Sequence, residues 1–151
     1  MNFDIVKNEM FNIDKAKESC NSFKSDLKDV LKFHKSLGNV ETPLIELKEL
    51  SKKIGVGSIL IKDESYRFGL NAFKGLGASY AMKKQIERFP NIETFCTATD
   101  GNHGHAVAWM AQKLKKKAII YMPKGTVVDR VNAIKSKNAE VIVIDEGYDA
   151  A

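Results

Sequence analysis

Apolar and polar positions along this 151-residue chain follow two rhythms, and each switch between them marks an element. From Asp14 to Leu37, the residues Cys20, Phe23, Leu27, Val30 and Leu31 recur at helical spacing, with Asp14 placed to cap the start and Gly38 to close the end. In "ETPLIEL", Pro43 holds Thr42 extended, which predicts an edge strand or a crossover rather than a helix. A short helix over Leu47 to Ile54 and a strand over Ser58 to Lys62 follow.

Beyond that point the pattern becomes regular. Helices are predicted over Phe73 to Arg88, Asn102 to Leu114 and Val127 to Lys137, and strands over Thr94 to Ala98, Ala118 to Met122 and Val141 to Ile144. Nearly continuous apolar strands alternating with helices predict βαβ crossovers, hence an α/β fold with a parallel sheet and helices on both faces. There is no repeat at a fixed period. The chain stops in "EVIVIDEGYDAA", just after a strand, where a further helix is expected, so the sequence reads as part of a longer protein.

Composition changes this picture little. The formal charge is +5, but the lysines are interleaved with acids. The one dense run, "KLKKK" at 113–117, falls where a helix ends and its cations complement the helix dipole. No nucleic-acid-binding pattern accompanies the charge, and nucleic acid is not an expected partner. No apolar run spans a bilayer, and the N-terminus mixes charges of both signs, which points away from membranes and export and toward the cytoplasm. Cys20 and Cys96 form no CxxC pair, so neither a disulfide framework nor a thiolate metal site is expected.

Two segments lead from a strand end into a helix, the place where ligands gather in a parallel sheet. In "DESYRFGLNAFKG", Lys74 opens a helix near the positive end of its dipole, an unfavourable place for a lysine whose only task is solvation. Taken alone, a lysine there is still most often a surface residue. In "TATDGNHGHA", Gly101 and Gly104 let the backbone approach a ligand, Asn102 offers a donor and an acceptor, and Asp100 is a carboxylate able to act as a base. The plain alternative is a helix start with Asp100 or Asn102 as its cap. His103 and His105 lie two apart and point to different faces, and His34 is distant, so no metal is expected. No GxSxG elbow occurs, and Gly75 and Gly77 lie inside a helix rather than in a dinucleotide loop.

Taken together, "RFGLNAFKGLGASYA", "TATDGNHGHAVAWMA" and "AIIYMPKGTVVDRVNAIKSKNAEVIVID" resemble the pyridoxal-phosphate enzymes of the tryptophan synthase β-subunit type (fold type II), from about Thr42 to Tyr148. Within that family the chain is most similar to the diaminopropionate ammonia-lyases. The "RFGLNAFK" lead-in favours them, as does Asp100 where threonine dehydratases and cysteine synthases carry a small residue. The resemblance implies pyridoxal 5'-phosphate bonded to Lys74, Phe73 packed near it, and Asn102 hydrogen-bonded to its phenolic oxygen. It implies Gly101, His103 and Gly104 around the substrate carboxylate, with Asp100 as a second base or as a holder of the distal ammonium. The implied reaction is elimination of 2,3-diaminopropionate to pyruvate and ammonia by a homodimer. A dehydratase-type lyase and an inactive remnant are the alternatives. The expected organisation is a leader over 1–40, the lysine segment over 41–78 and a small α/β domain over 79–151. The phosphate-binding loop and the pyridine-nitrogen partner are expected in a larger domain outside this chain.

Overall fold

The computed structural model describes residues 12–22, 27–149 and 151. The expected leader helix is present as two stretches, α1 (Ile13–Ser22) and α2 (Leu27–Ser36). Residues 23–26, Phe23 among them, lie outside the described residues. The first cap is Asn12 rather than Asp14: its Oδ1 accepts the N–H groups of Asp14 and Lys15, both at 3.0 Å. Gly38 closes α2 as expected, with φ +79°.

Strand β1 (Leu44–Glu46) pairs antiparallel with β2 (Leu60–Lys62), and α3 (Lys48–Ile54) lies between them in sequence. A kinked 3-10 segment, Glu64–Gly69, then leads to α4 (Lys74–Arg88). The remainder follows the predicted alternation: β3 (Thr94–Ala98), α5 (Asn102–Lys113), β4 (Lys117–Pro123), α6 (Val128–Lys135) and β5 (Glu140–Ile144). Each boundary lies within two residues of its expected place.

The three later strands form a parallel sheet in the order β3-β4-β5. A strand order that advances in one direction, joined by crossovers of one hand, puts successive helices on the same face. So α5 and α6 share a face, and the core forms beneath them. On β4 the period-two residues Ala118, Ile120 and Met122 point inward, meeting Ile134 of α6. Helix α5 is buried on every side from Ala106 to Ala111, because the sheet lies under it and α4 lies over it. Where the sequence predicts helices on both faces, the opposite face is half open among the described residues: Ile119, Tyr121 and Ile142 are partly buried and Cys96 is exposed.

Helix α2 packs on the outer side of α4. Asp29 accepts hydrogen bonds from Lys83 at 3.0 Å and Tyr80 at 2.9 Å, and these bonds, that of Lys83 first, hold its carboxyl down at about 2. The buried His34 donates from Nε2 to the Leu76 carbonyl at 2.9 Å. Among the described residues, no helix is long and apolar enough to cross a membrane.

Candidate active site

Strand β3 delivers the chain to the sheet edge at Ala98, and Thr99 extends the ladder by one bond, its N–H donating to the Tyr121 carbonyl at 2.9 Å. Thr99 is 1% exposed, and its hydroxyl accepts the N–H groups of Gly101 at 2.9 Å and Gly104 at 3.1 Å. The N-cap position of α5 is Gly101, and the side chain that caps the helix comes from Thr99, two residues earlier, rather than from Asp100 or Asn102 as the plain reading of the motif has it. A threonine ending an apolar strand carries no capping signal in the sequence.

This arrangement sets what the helix start can offer a ligand. Two of its N–H groups are taken by Thr99. The N–H groups of Asn102 and His103 have no acceptor among the described residues and stay available for an anion. Gly104 owes its identity to packing: a Cβ there would meet Thr99 Cγ2 at 2.3 Å and Ile120 Cγ2 at 2.7 Å. Gly101 lies under Arg130, whose Cδ would be 3.0 Å from an added Cβ.

Lys74 begins α4, directly after Phe73 at the cap position, and its Nζ lies 4.6 Å from the centre of the Phe73 ring. Phe73 is 56% exposed, and Lys74 is exposed as well. The packing of α4 on α5 brings the two helix starts together across a cleft of about 340 Å³. Lys74, Asp100, Asn102 and His103 all line it, so residues from both candidate segments share one site. Gly101 and Gly104 are buried and do not line it. His105, one turn face away, is half-buried, and burial followed by the nearby Lys137 charge pushes its imidazole below the usual histidine range.

Three further residues line the cleft without having been singled out from the sequence: Thr99, Arg130 and Tyr148. Arg130 Nη1 donates to the Asp100 carbonyl at 3.0 Å and lies 3.9 Å from its carboxylate. Both side chains are more than half exposed, so the ion pair adds little stability and acts mainly to orient the turn. The cleft thus holds an amine, a carboxylate, an amide, an imidazole and free N–H groups at a helix start. Chemically, that set suits a carbonyl-bearing cofactor and a zwitterionic amino acid.

The lysine amine on the cleft wall, with Asn102 and two open N–H groups near it, fits pyridoxal phosphate. A glycine-rich phosphate cradle is not found among the described residues. Residues 35–151 match the family described as "Pyridoxal-phosphate dependent enzyme". The chain is 47% identical over 145 residues to diaminopropionate ammonia-lyase of Salmonella typhimurium, an alignment covering 82% of this chain and 36% of that protein. It is 43% identical over 167 residues to the enzyme of the same name from Escherichia coli K12, covering 99% and 41%. Among solved structures, the Escherichia coli enzyme in complex with its aminoacrylate-PLP azomethine reaction intermediate superposes with a TM-score of 0.77 and 41% identity, over 97% of this chain and 40% of that one. The chain therefore spans about two fifths of the length of the relatives it matches. With the lysine, the helix starts and the parallel sheet all in place, the chain belongs to the pyridoxal-phosphate-dependent enzymes of fold type II.

Proposed function

We propose that this chain carries the lysine segment and the substrate-facing turn of a diaminopropionate ammonia-lyase. The observation that carries the proposal is the single cleft into which α4 and α5 bring Lys74, Asp100, Asn102 and His103. Pyridoxal phosphate, when bound, supplies the electron sink for carbanion chemistry at an amino acid. The residues of this chain bind, orient and exchange protons. The Lys74 amine would hold the cofactor through its carbonyl carbon and would serve as the base for the substrate Cα proton of one isomer. Asn102 would hydrogen-bond the cofactor's phenolic oxygen, and Phe73, whose ring centre lies 4.6 Å from the Lys74 Nζ, would pack near the cofactor. The Asn102 and His103 N–H groups hold the substrate carboxylate, with Gly101 and Gly104 keeping the turn close enough for them to do so.

Asp100 distinguishes this reading from a dehydratase. In the cleft it lines together with Lys74, its carboxylate is the second base for the opposite isomer, and it attracts the distal ammonium of the substrate. In the net reaction, 2,3-diaminopropionate and water give pyruvate and two ammonia: the Cβ amine leaves, and hydrolysis releases the second nitrogen. The fuller protein supplies the phosphate cradle and the pyridine-nitrogen partner from a larger domain, works as a homodimer and resides in the cytoplasm. Residues 1–40, 41–78 and 79–151 are its leader, lysine segment and small domain.

The test is a substrate profile of the purified, cofactor-loaded protein. Release of 2-oxo acid from D- and L-2,3-diaminopropionate, as pyruvate, is expected to exceed that from serine, as pyruvate, and from threonine, as 2-oxobutyrate. A profile led by threonine or serine would replace this reading with a dehydratase.

A further inference from the structure

The route by which Lys74 reaches the cleft is unusually constrained. Between β2 and α4 the chain reverses through three residues of positive φ: Phe68 at +53°, Gly69 at +68° and Asn71 at +53°. Gly69 and Asn71 take that conformation readily, but Phe68 does not, so its place at the head of the reversal is held by its surroundings. Just ahead of it lies Arg67, 7% exposed.

Every N–H of the Arg67 guanidinium is used. Nε donates to Glu64 Oε2 at 2.8 Å and Nη2 to Glu64 Oε1 at 2.8 Å, a two-pronged pair, while Nη2 also reaches Thr42 Oγ1 at 3.2 Å. Nη1 donates to the Val40 carbonyl at 2.8 Å and to Asn39 Oδ1. Thr42 closes the ring by donating to Glu64 Oε1 at 2.7 Å. One side chain thereby ties the 39–42 segment to the start of the reversal.

Phe68, the first residue of the reversal, is held by packing. The Phe68 ring stacks on Trp109 of α5, with centroids 4.9 Å apart. It also lies over the first turn of α4, where a Cβ on Gly75 would be 2.9 Å from its Cδ2. Arg67 fixes the start of a rigid connection whose end is Lys74.

We infer that Arg67, gripped by Glu64 and Thr42, is a positioning residue for Lys74, holding the reversal that sets the amine at the cleft. A buried ion pair is weak support for stability as such, since apolar residues of similar volume commonly replace one without loss. What apolar residues cannot reproduce is the fork to Asn39, Val40 and Thr42. The inference rests on the reading of Lys74 as the cofactor lysine, and the test separates the two.

The purified native polypeptide is mixed with pyridoxal phosphate, and the rate of borohydride-trapped adduct on Lys74 is followed by absorbance and peptide mapping. The double variant Arg67→Met/Glu64→Leu removes the fork while keeping the volume. It is expected to unfold cooperatively yet trap about tenfold more slowly or worse, the scale set by small misplacements of a reacting group. Lys83→Met, which strips the ion pairs of the same helix to Asp29 and Glu87, is expected to trap at the native rate. If the double variant fails to fold, Arg67→Lys serves in its place, keeping the charge but not the fork, with the same slowing expected. Native-rate trapping in whichever folded variant is measured overturns the positioning role while leaving Lys74 as the cofactor lysine. Absence of any Lys74 adduct in the native polypeptide overturns both.

Discussion

At the scale of single residues, the proposed function divides the cleft into groups that react and groups that hold. Asp100 belongs to the first kind, and its replacement makes a sharp prediction. Asp100→Asn should reduce turnover of D-2,3-diaminopropionate far more than that of the L isomer, measured as kcat for each; equal losses would remove Asp100 from the role of second base. Thr99 belongs to the second kind. Thr99→Val keeps the shape but strands the N–H groups of Gly101 and Gly104, and should cost about 1–3 kcal/mol in urea unfolding. Gly104→Ala forces a methyl against Thr99 and Ile120 and should also cost about 1–3 kcal/mol, read the same way. A midpoint unchanged by either substitution would contradict the account of how the helix start is built. That Lys74, Asp100, Asn102 and His103 meet in one cleft was legible only from the resemblance their two segments carry together, since each taken alone reads equally well as a surface lysine or an ordinary helix start. Thr99 was not, since a threonine closing an apolar strand looks like any β residue. Arg130 was not either, because nothing in its helix registers a contact with a turn thirty residues earlier.

At the scale of elements, the alternation of strand and helix from Thr94 onward was readable because continuous apolar strands and longer amphipathic helices differ in both period and length. The 3-10 segment before Lys74 was not, since Arg67 and Phe68 carry no turn signal and their conformation is imposed by tertiary contacts. That segment has a titratable signature. The Arg67 guanidinium first, and the Thr42 hydroxyl after it, hold the Glu64 carboxyl at about 2 against an ordinary 4.5. A carboxyl whose folded value is depressed adds stability above its unfolded value, and that stability is lost as the pH falls through the folded one. The urea midpoint should therefore drop between about pH 4.5 and about pH 2, and Glu64→Gln should flatten that drop while lowering stability at neutral pH. Identical pH dependence in the variant would show that the Arg67 clamp does not couple to folding.

At the scale of the whole molecule, one arrangement explains both the site and the open surface. The strand order β3-β4-β5 puts α5 and α6 on one face, and packing α4 over α5 then brings the two helix starts to a common cleft. The same order leaves Ile119, Tyr121 and Ile142 only half covered on the other face. The expectation of helices on both faces rested on the apolar character of the strands, which reports that a face is to be buried but not by what. The central claim is that Lys74 is the residue that bonds the cofactor, and one measurement bears on it most directly. Absorbance of the purified protein with added pyridoxal phosphate is recorded before and after borohydride, alongside Lys74→Ala. The account predicts a yellow band that borohydride converts to a permanent adduct mapping to Lys74, absent from the variant. A band that persists in Lys74→Ala, or an adduct on another lysine, would contradict it.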